Sequence, residues 1–155
     1  MSLALFPIST KQFPAWMKRS AAEYLADLVA TGVPEHKAQA DASGTMERAF
    51  PDGLPSPTNA VFILMDSALG NVGYIWIGCD SSGDPDSWWV WDIVVEAEHR
   101  GKGFGRQAMI LAEGYARAHG GQTLGLNVFG FNNTARRTYE SLGYETISIK
   151  MRKTL

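Results

Sequence analysis

Between an apolar run, WWVWDIVV (Trp88 to Val95), and a helical-looking stretch, AMILAEGYARAH (Ala108 to His119), the chain reads HRGKGFGRQ, His99 to Gln107. Three glycines and three cations thus stand where a strand should hand over to a helix. The first backbone N–H groups of a helix have no intrahelical partner, and the helix dipole adds partial positive charge there. Glycines remove the Cβ atoms that would hold an oxyanion away, and they permit the left-handed backbone that turns successive N–H groups inward. Arg100, Lys102 and Arg106 could add charge-assisted hydrogen bonds. The chemistry implied is capture of a phosphate-like anion; the alternative is a flexible turn whose cations are solvated. A P-loop would need GxxxxGK[ST], but Gly101-Lys102 is followed by Gly103. A dinucleotide fingerprint would need GxGxxG, whereas Gly101, Gly103 and Gly105 give GxGxG, and about twenty residues later LGLNV offers no carboxylate for a ribose.

The elements that must position this loop follow from apolar spacing and turn residues. LALF, Leu3 to Phe6, predicts a short first strand. Trp16, Ala21, Tyr24, Leu25, Leu28 and Val29 recur at helical spacing up to Gly32, and a more polar helix fits Pro34 to Phe50. The loop PDGLPSP, Pro51 to Pro57, is either a connector or one wall of a site. VFILM (Val61 to Met65) and VGYIWIGC (Val72 to Cys79) predict a hairpin through DSALGN. Trp88 to Glu96 is a strand covered on both faces. By alternation Trp89, Trp91, Ile93 and Val95 share one face, and Trp88, Val90, Asp92 and Val94 the other. Helices are expected from Gly103 or Phe104 to about His119 and from Asn132 to Leu142, with a strand TLGLNV (Thr123 to Val128) between them. The tail, Tyr144 to Lys153, alternates and reads as a last strand able to join a dimer edge. The strand, glycine loop, helix and strand from Trp88 to Val128 form one βαβ unit, so its strands should be parallel.

The sequence has 155 residues, 45% hydrophobic and 19% charged, which predicts one domain, residues 1–155, with a core of its own. Fourteen basic against sixteen acidic residues leave a net charge of −2, so no global field recruits nucleic acid or an acidic membrane, and any anion site must be local. The single cysteine, Cys79, excludes an internal disulfide framework; with no secretion signal, it predicts a reducing cytoplasm. Cys79 reads as a small buried residue within a strand rather than a nucleophile. No apolar run reaches the roughly eighteen residues of a membrane span, and no His/Cys/Asp cluster has metal-ligand spacing, so a soluble protein without a metal is expected.

The glycine loop resembles motif A of the GNAT superfamily of acyl-CoA-dependent N-acetyltransferases, Q/R-x-x-G-x-G/A, through Arg100, Gly103 and Gly105. Ala97 stands where that family typically has a proline. NNTARRTYESLGYE, Asn132 to Glu145, resembles motif B, N-x-x-A-x-x-x-Y-E-x-x-G-F/Y, through Asn132, Ala135, Tyr139, Glu140, Gly143 and Tyr144. The resemblance covers roughly residues 60 to 153. It implies an α+β fold whose mixed, mainly antiparallel sheet is splayed at one parallel strand pair and flanked by about four helices. It also implies acetyl transfer from acetyl-CoA to a primary amine, on a small molecule or a peptide, in a ternary complex.

On that resemblance, the pyrophosphate of acetyl-CoA would lie on the amides of Gly101, Lys102, Gly103, Gly105 and Arg106. Arg100 would stand beside it, and the pantetheine arm would run along Val94 and Val95. Tyr139 matches the family's general acid, and Asn132, two turns before it on the same helix face, fits both a hydrogen bond to the CoA arm and a helix N-cap. Tyr139 as an ordinary core aromatic is the structural alternative. For the base, Asp92 is the one carboxylate inside the apolar strand, where burial would raise its pKa; pinning a neighbouring backbone is its other reading. Glu96 and a water are the remaining candidates. His99 is read as solvated, and His36 and His119 as structural. One or two of Trp76, Trp88, Trp89 and Trp91 could line an acceptor pocket and favour an apolar or cationic amine. A catalytically silent acyl-CoA-binding module is the alternative of a different class.

Overall fold

The computed structural model describes residues 2–155. Strand β1 (Leu3–Pro7) leads into two helices, α1 (Phe13–Ala30) and α2 (Glu35–Ala49), followed by three strands, β2 (Asn59–Asp66), β3 (Gly70–Cys79) and β4 (Ser87–Val95). A short 3-10 turn (Ala97–His99) and the glycine loop precede α3 (Phe104–Ala118), then come β5 (Thr123–Leu126) and α4 (Asn133–Ser141). One sheet holds the five strands in the order β1-β2-β3-β4-β5; all pairs are antiparallel except β4 with β5, which is parallel. The mixed sheet, its parallel pair and its four helices are those the sequence implied.

Helix boundaries sit where the residues dictate them. Pro14 falls in the first turn of α1, where its missing N–H costs nothing, and α1 ends at Thr31 with Gly32 at a positive φ of 94°. Helix α3 lays Phe104, Ala108, Ala112 and Ala116 against the sheet at i, i+4 spacing, and the three alanines let its backbone approach closely. Its partners on that face are Leu64, Val72, Ile75, Ile77, Trp88 and Val90. On the opposite face α1 and α2 cover Val61, Tyr74 and Trp76 with Phe13, Trp16, Met46 and Phe50. The 51–57 loop is a connector: Pro51, Asp52, Gly53 and Leu54 are exposed, and Tyr115 Oη bonds the Pro57 carbonyl.

Two expectations are corrected. The strict alternation along β4 fails because Trp76 pairs with Asp92 and Ile77 with Val90, leaving Trp91 as the extra residue of a β-bulge. Beyond the bulge the faces exchange: Ile93 and Val95 join Trp88 and Val90 against α3, while Trp91 and Val94 pack on the α1–α2 side. The tail is the second correction. Residues 145–155 form no strand and pair with nothing, so Ile147, Ile149 and Met151 remain 85%, 73% and 88% exposed. β5 is also shorter than TLGLNV suggested, ending at Leu126.

Candidate functional site

The parallel register runs only from Ser87↔Thr123 to Val90↔Leu126, so β4 continues from Trp91 to Val95 with no strand beside it on the β5 side. The parting begins at the bulge, whose extra residue adds local twist. A second device fixes this point. Gly125 lies opposite Trp89, and a Cβ on it would meet the indole at 2.3 Å. Only a glycine there lets Trp89 fold across the start of the cleft.

At the C-terminal end of β4 the chain turns through Gly101 (φ 74°) and Gly103 (φ 82°), the latter capping α3 in the left-handed region. The first α3 hydrogen bond runs from Gln107 N to Gly103 O. Among the described residues, the amides from Gly101 to Arg106 therefore have no backbone acceptor, and Cβ atoms built at Gly101, Gly103 and Gly105 meet nothing within 4 Å. Such a row of free N–H groups at the start of a fifteen-residue helix fits an anion. The cations are deployed unevenly. Arg100 Nε donates to the Val95 carbonyl at 2.9 Å, Arg106 Nη1 donates to Ser141 Oγ at 2.8 Å and so ties the loop to α4, and Lys102 is exposed.

Asp92 lies on the α1–α2 side of the cleft. Its Oδ2 accepts from Ser20 Oγ at 2.6 Å and from Tyr74 Oη at 3.0 Å, and the Tyr74 hydroxyl also stands 2.7 Å from Glu23 Oε2. Burial pushes the Asp92 carboxyl above the usual carboxylate range, with Glu23 adding to the rise and the two hydroxyl donors opposing it. Tyr74 is raised far above its ordinary value, first by burial and then by Asp92 and Glu23. Arg19 completes the cluster: its guanidinium reaches Glu96 at 2.6 and 3.1 Å and Glu23 at 3.0 Å, and lies 5.3 Å from the Tyr74 ring centre. That bidentate pair holds Glu96 below its ordinary range, so the alternative base is tied up as a permanent charge.

Tyr139, on α4, is half-buried, and its phenol is raised, chiefly by burial and secondarily by the charge of Asp92. Asn132 serves as the α4 N-cap, its Oδ1 accepting from Ala135 N at 3.3 Å. His99 is half-buried rather than solvated, with Nδ1 covered and without a partner. Trp88 is 2% exposed in the α3 core and donates to Pro85 O, so it lines no cavity on the acceptor side. The Cys79 thiol, raised by burial and by Asp80, is unsuited to be a nucleophile. Among the described residues no three His, Cys, Asp or Glu side chains converge as a metal site, and no helix is long and apolar enough to cross a membrane.

Sequence reasoning missed Ser20, Glu23, Tyr74 and Arg19. One signal existed: Ser20 interrupts the apolar helical spacing between Trp16 and Tyr24, and a hydroxyl on a buried stripe, here 2% exposed, needs a polar partner. Two cavities adjoin the cleft. One of about 150 Å³ lies between α1, α2 and β4, with Asp92 among its walls. The other, about 800 Å³, follows the outer side of β5 between α3, α4 and the tail; it includes Tyr139 but none of the glycine-loop residues. Trp89 and Asn127 belong to both. The larger volume is mainly the space beside an unpaired sheet edge; of the two residues expected to handle protons, Tyr139 lines the larger cavity and Asp92 the smaller.

The acetyltransferase (GNAT) family model matches residues 33–144. Two Bacillus subtilis proteins described as uncharacterized N-acetyltransferases are similar over their whole lengths. YycN is 29% identical, covering 100% of both chains, and YdgE is 24% identical, covering 100% of this chain and 99% of its own. The crystal structure of YycN superposes with a TM-score of 0.88 at 27% identity, over 99% of each chain. An acetyl transferase structure from Pyrococcus furiosus shares the fold, with a TM-score of 0.68 at 19% identity over 99% of this chain and 100% of that one.

Proposed function

The chain belongs to the acetyltransferase (GNAT) family, and from that premise we propose that it moves an acetyl group from acetyl-CoA to a primary amine by direct attack in a ternary complex. The observation that carries this reading is the row of acceptor-free amides from Gly101 to Arg106, set at the end of a strand whose β5-side edge is open from Trp91 to Val95. Those amides suit a pyrophosphate, with Lys102 and the remaining N–H groups of Arg100 beside it. The open edge at Val94 and Val95 suits an extended amide-bearing arm, and Asn132, whose Oδ1 caps α4, keeps its Nδ2 group as a donor for that arm in this reading. Acetyl-CoA supplies an activated thioester.

The side chains then divide the proton work. Asp92 takes the proton that an ammonium acceptor must lose before its nitrogen can attack. Tyr74 hydroxyl, between Asp92 and Glu23, passes that proton toward the surface, since the Glu23 side chain is 41% exposed. As the new C–N bond forms and the C–S bond breaks, Tyr139 donates its phenolic proton to the departing sulfur and recovers one from the attacking nitrogen. Its raised pKa keeps it a protonated donor at neutral pH.

Residues 1–155 act in this reading as a single domain in the cytoplasm, the compartment suggested by the lone Cys79. A homodimer through the tail belongs to the same proposal, because Ile147, Ile149 and Met151 are exposed and the tail shares a cavity with the unpaired edge of β5.

The test is calorimetric titration of acetyl-CoA into the wild type and Gly105→Glu, with thiol release measured over a panel of amines. Gly105 has open space in front of it and no positive φ, so the variant leaves the fold intact while placing a carboxylate in the cradle. Binding lost in the variant and amine-dependent thiol release in the wild type are expected. Binding without release for any amine favours the silent acyl-CoA-binding module, and no binding refutes the reading.

A further inference from the structure

The 150 Å³ cavity has one charged residue in its walls, Asp92. The rest is dominated by Tyr24, Met46, Trp76, Trp89, Trp91 and Phe129. Several polar atoms of these walls are committed elsewhere, which leaves the Tyr24 hydroxyl, Trp89 Nε1 and the Asn127 amide as the neutral polar groups. Trp91 Nε1 donates to Cys79 O at 3.1 Å, Trp76 Nε1 donates to Asn59 Oδ1 at 3.1 Å, and the Ser20 hydroxyl is spent on Asp92. The aromatic part of the wall is extensive: Trp76 and Trp91 are stacked with centroids 5.6 Å apart, and Trp89 leans on Trp91 at 6.4 Å and 57°. Trp89 and Asn127 also border the larger cavity, so this chamber adjoins the parting of β4 and β5.

Each feature removes a class of acceptor. A second positive charge, as on a polyamine, would find no second carboxylate in these walls and would be desolvated unpaired. An α-carboxylate would lie close to Asp92 and be repelled. A sugar would lose the hydrogen bonds of its hydroxyls to water against surfaces with few donors or acceptors to offer. A single ammonium on a flat, uncharged body loses nothing: the head pairs with Asp92, passes over indole faces that favour cations, and the body replaces water against aromatic walls.

We propose that the acceptor is a small monocationic arylalkylamine, an aromatic ring joined by a short carbon chain to a primary amine, bound with its nitrogen at Asp92 and its ring between Trp89, Trp91 and Phe129. This rests on the acetyl-transfer reading above and deepens it.

The experiment measures kcat/KM by thiol release for the wild-type protein with phenethylamine, spermidine, glutamate, glucosamine and a lysine-containing peptide, beside calorimetry of acetyl-CoA alone and of phenethylamine added to the CoA-loaded protein. Phenethylamine should exceed every other amine by about tenfold or more. Trp91→Ala should abolish that preference through KM, and Trp91→Phe, which keeps an aromatic wall, should restore it. Acetyl-CoA binding together with equal or better turnover of spermidine, the peptide or glucosamine overturns the acceptor assignment alone. Acetyl-CoA binding with an unchanged preference in Trp91→Ala does the same. Failure to bind acetyl-CoA removes the acetyl-transfer reading and this proposal with it.

Discussion

Replacing Asp92 with asparagine separates what this residue costs the fold from what it gives the reaction. Burial raises the Asp92 carboxyl, so the ionised form is penalised in the folded state. The sign follows from linkage: an acid whose folded pKa exceeds its unfolded value contributes full stability below the unfolded pKa, and that contribution is lost as pH rises through the folded pKa. The wild type therefore carries its penalty at neutral and alkaline pH. An asparagine whose oxygen occupies the Oδ2 position accepts the same protons from Ser20 and Tyr74 without the charge. It should raise Tm at about pH 8, and the gain should shrink as pH falls and the wild-type carboxyl takes up its proton. The same variant should lose about 10²- to 10⁴-fold in kcat, the usual worth of a positioned base. Thermal unfolding at several pH values and thiol-release kinetics on the same preparation test both halves. A lower Tm at pH 8 would refute the account of the buried charge, and activity within tenfold of wild type would refute the base.

Three other outcomes follow from the same coordinates. Tyr139→Phe should lower kcat by about 10²-fold or more while leaving the calorimetric affinity for acetyl-CoA unchanged, and the wild-type profile should show no fall from Tyr139 ionisation below pH 10, since its phenol lies above the ordinary value of 10.0. Gly73→Ala would bring a Cβ to 1.9 Å from the Val94 carbonyl oxygen, so a loss of about 3 kcal/mol or more is expected in chemical denaturation. Joint Ile147→Ser, Ile149→Ser and Met151→Ser substitutions test the proposed dimer: sedimentation velocity should show a monomer in place of the wild-type dimer, and the Tm of the wild type should rise with protein concentration while that of the variant should not.

Much of this architecture is legible in the chain because turn residues punctuate it. Gly32 with Pro34, DSALGN, the glycine loop and Gly143 mark ends that the structure reproduces within a residue or two. What was not legible had physical reasons. WWVWDIVV is apolar at nearly every position, so it carries no period for a bulge to interrupt, and only pairing with β3 reveals that Trp91 is supernumerary. The tail failed in the opposite way: its alternation is real, but alternation states only that a segment is able to pair, and β5 offers four residues. Arg19, Ser20 and Glu23 join Tyr74, Asp92 and Glu96 across separations of 51 to 77 residues, which no local pattern encodes. Tyr139 was singled out by the resemblance to motif B, and Asp92 by being the one carboxylate in an apolar strand.

The bulge at Trp91 also bears on how this strand can change over generations. Deleting the Trp91 codon would restore plain alternation with Val90 still opposite Ile77 and Asp92 still opposite Trp76, so Asp92 would keep its side and Ile93 its own, while the acceptor cavity would lose an indole wall and β4 the extra twist of the bulge. A loop absorbs a lost residue by shortening; β4 would absorb this one by losing the twist and the side chain that stand where β5 parts from it. Length variants of this protein should therefore accumulate in the exposed turns at 51–57 and 80–86, while β4 is held to a fixed count even where its individual side chains drift.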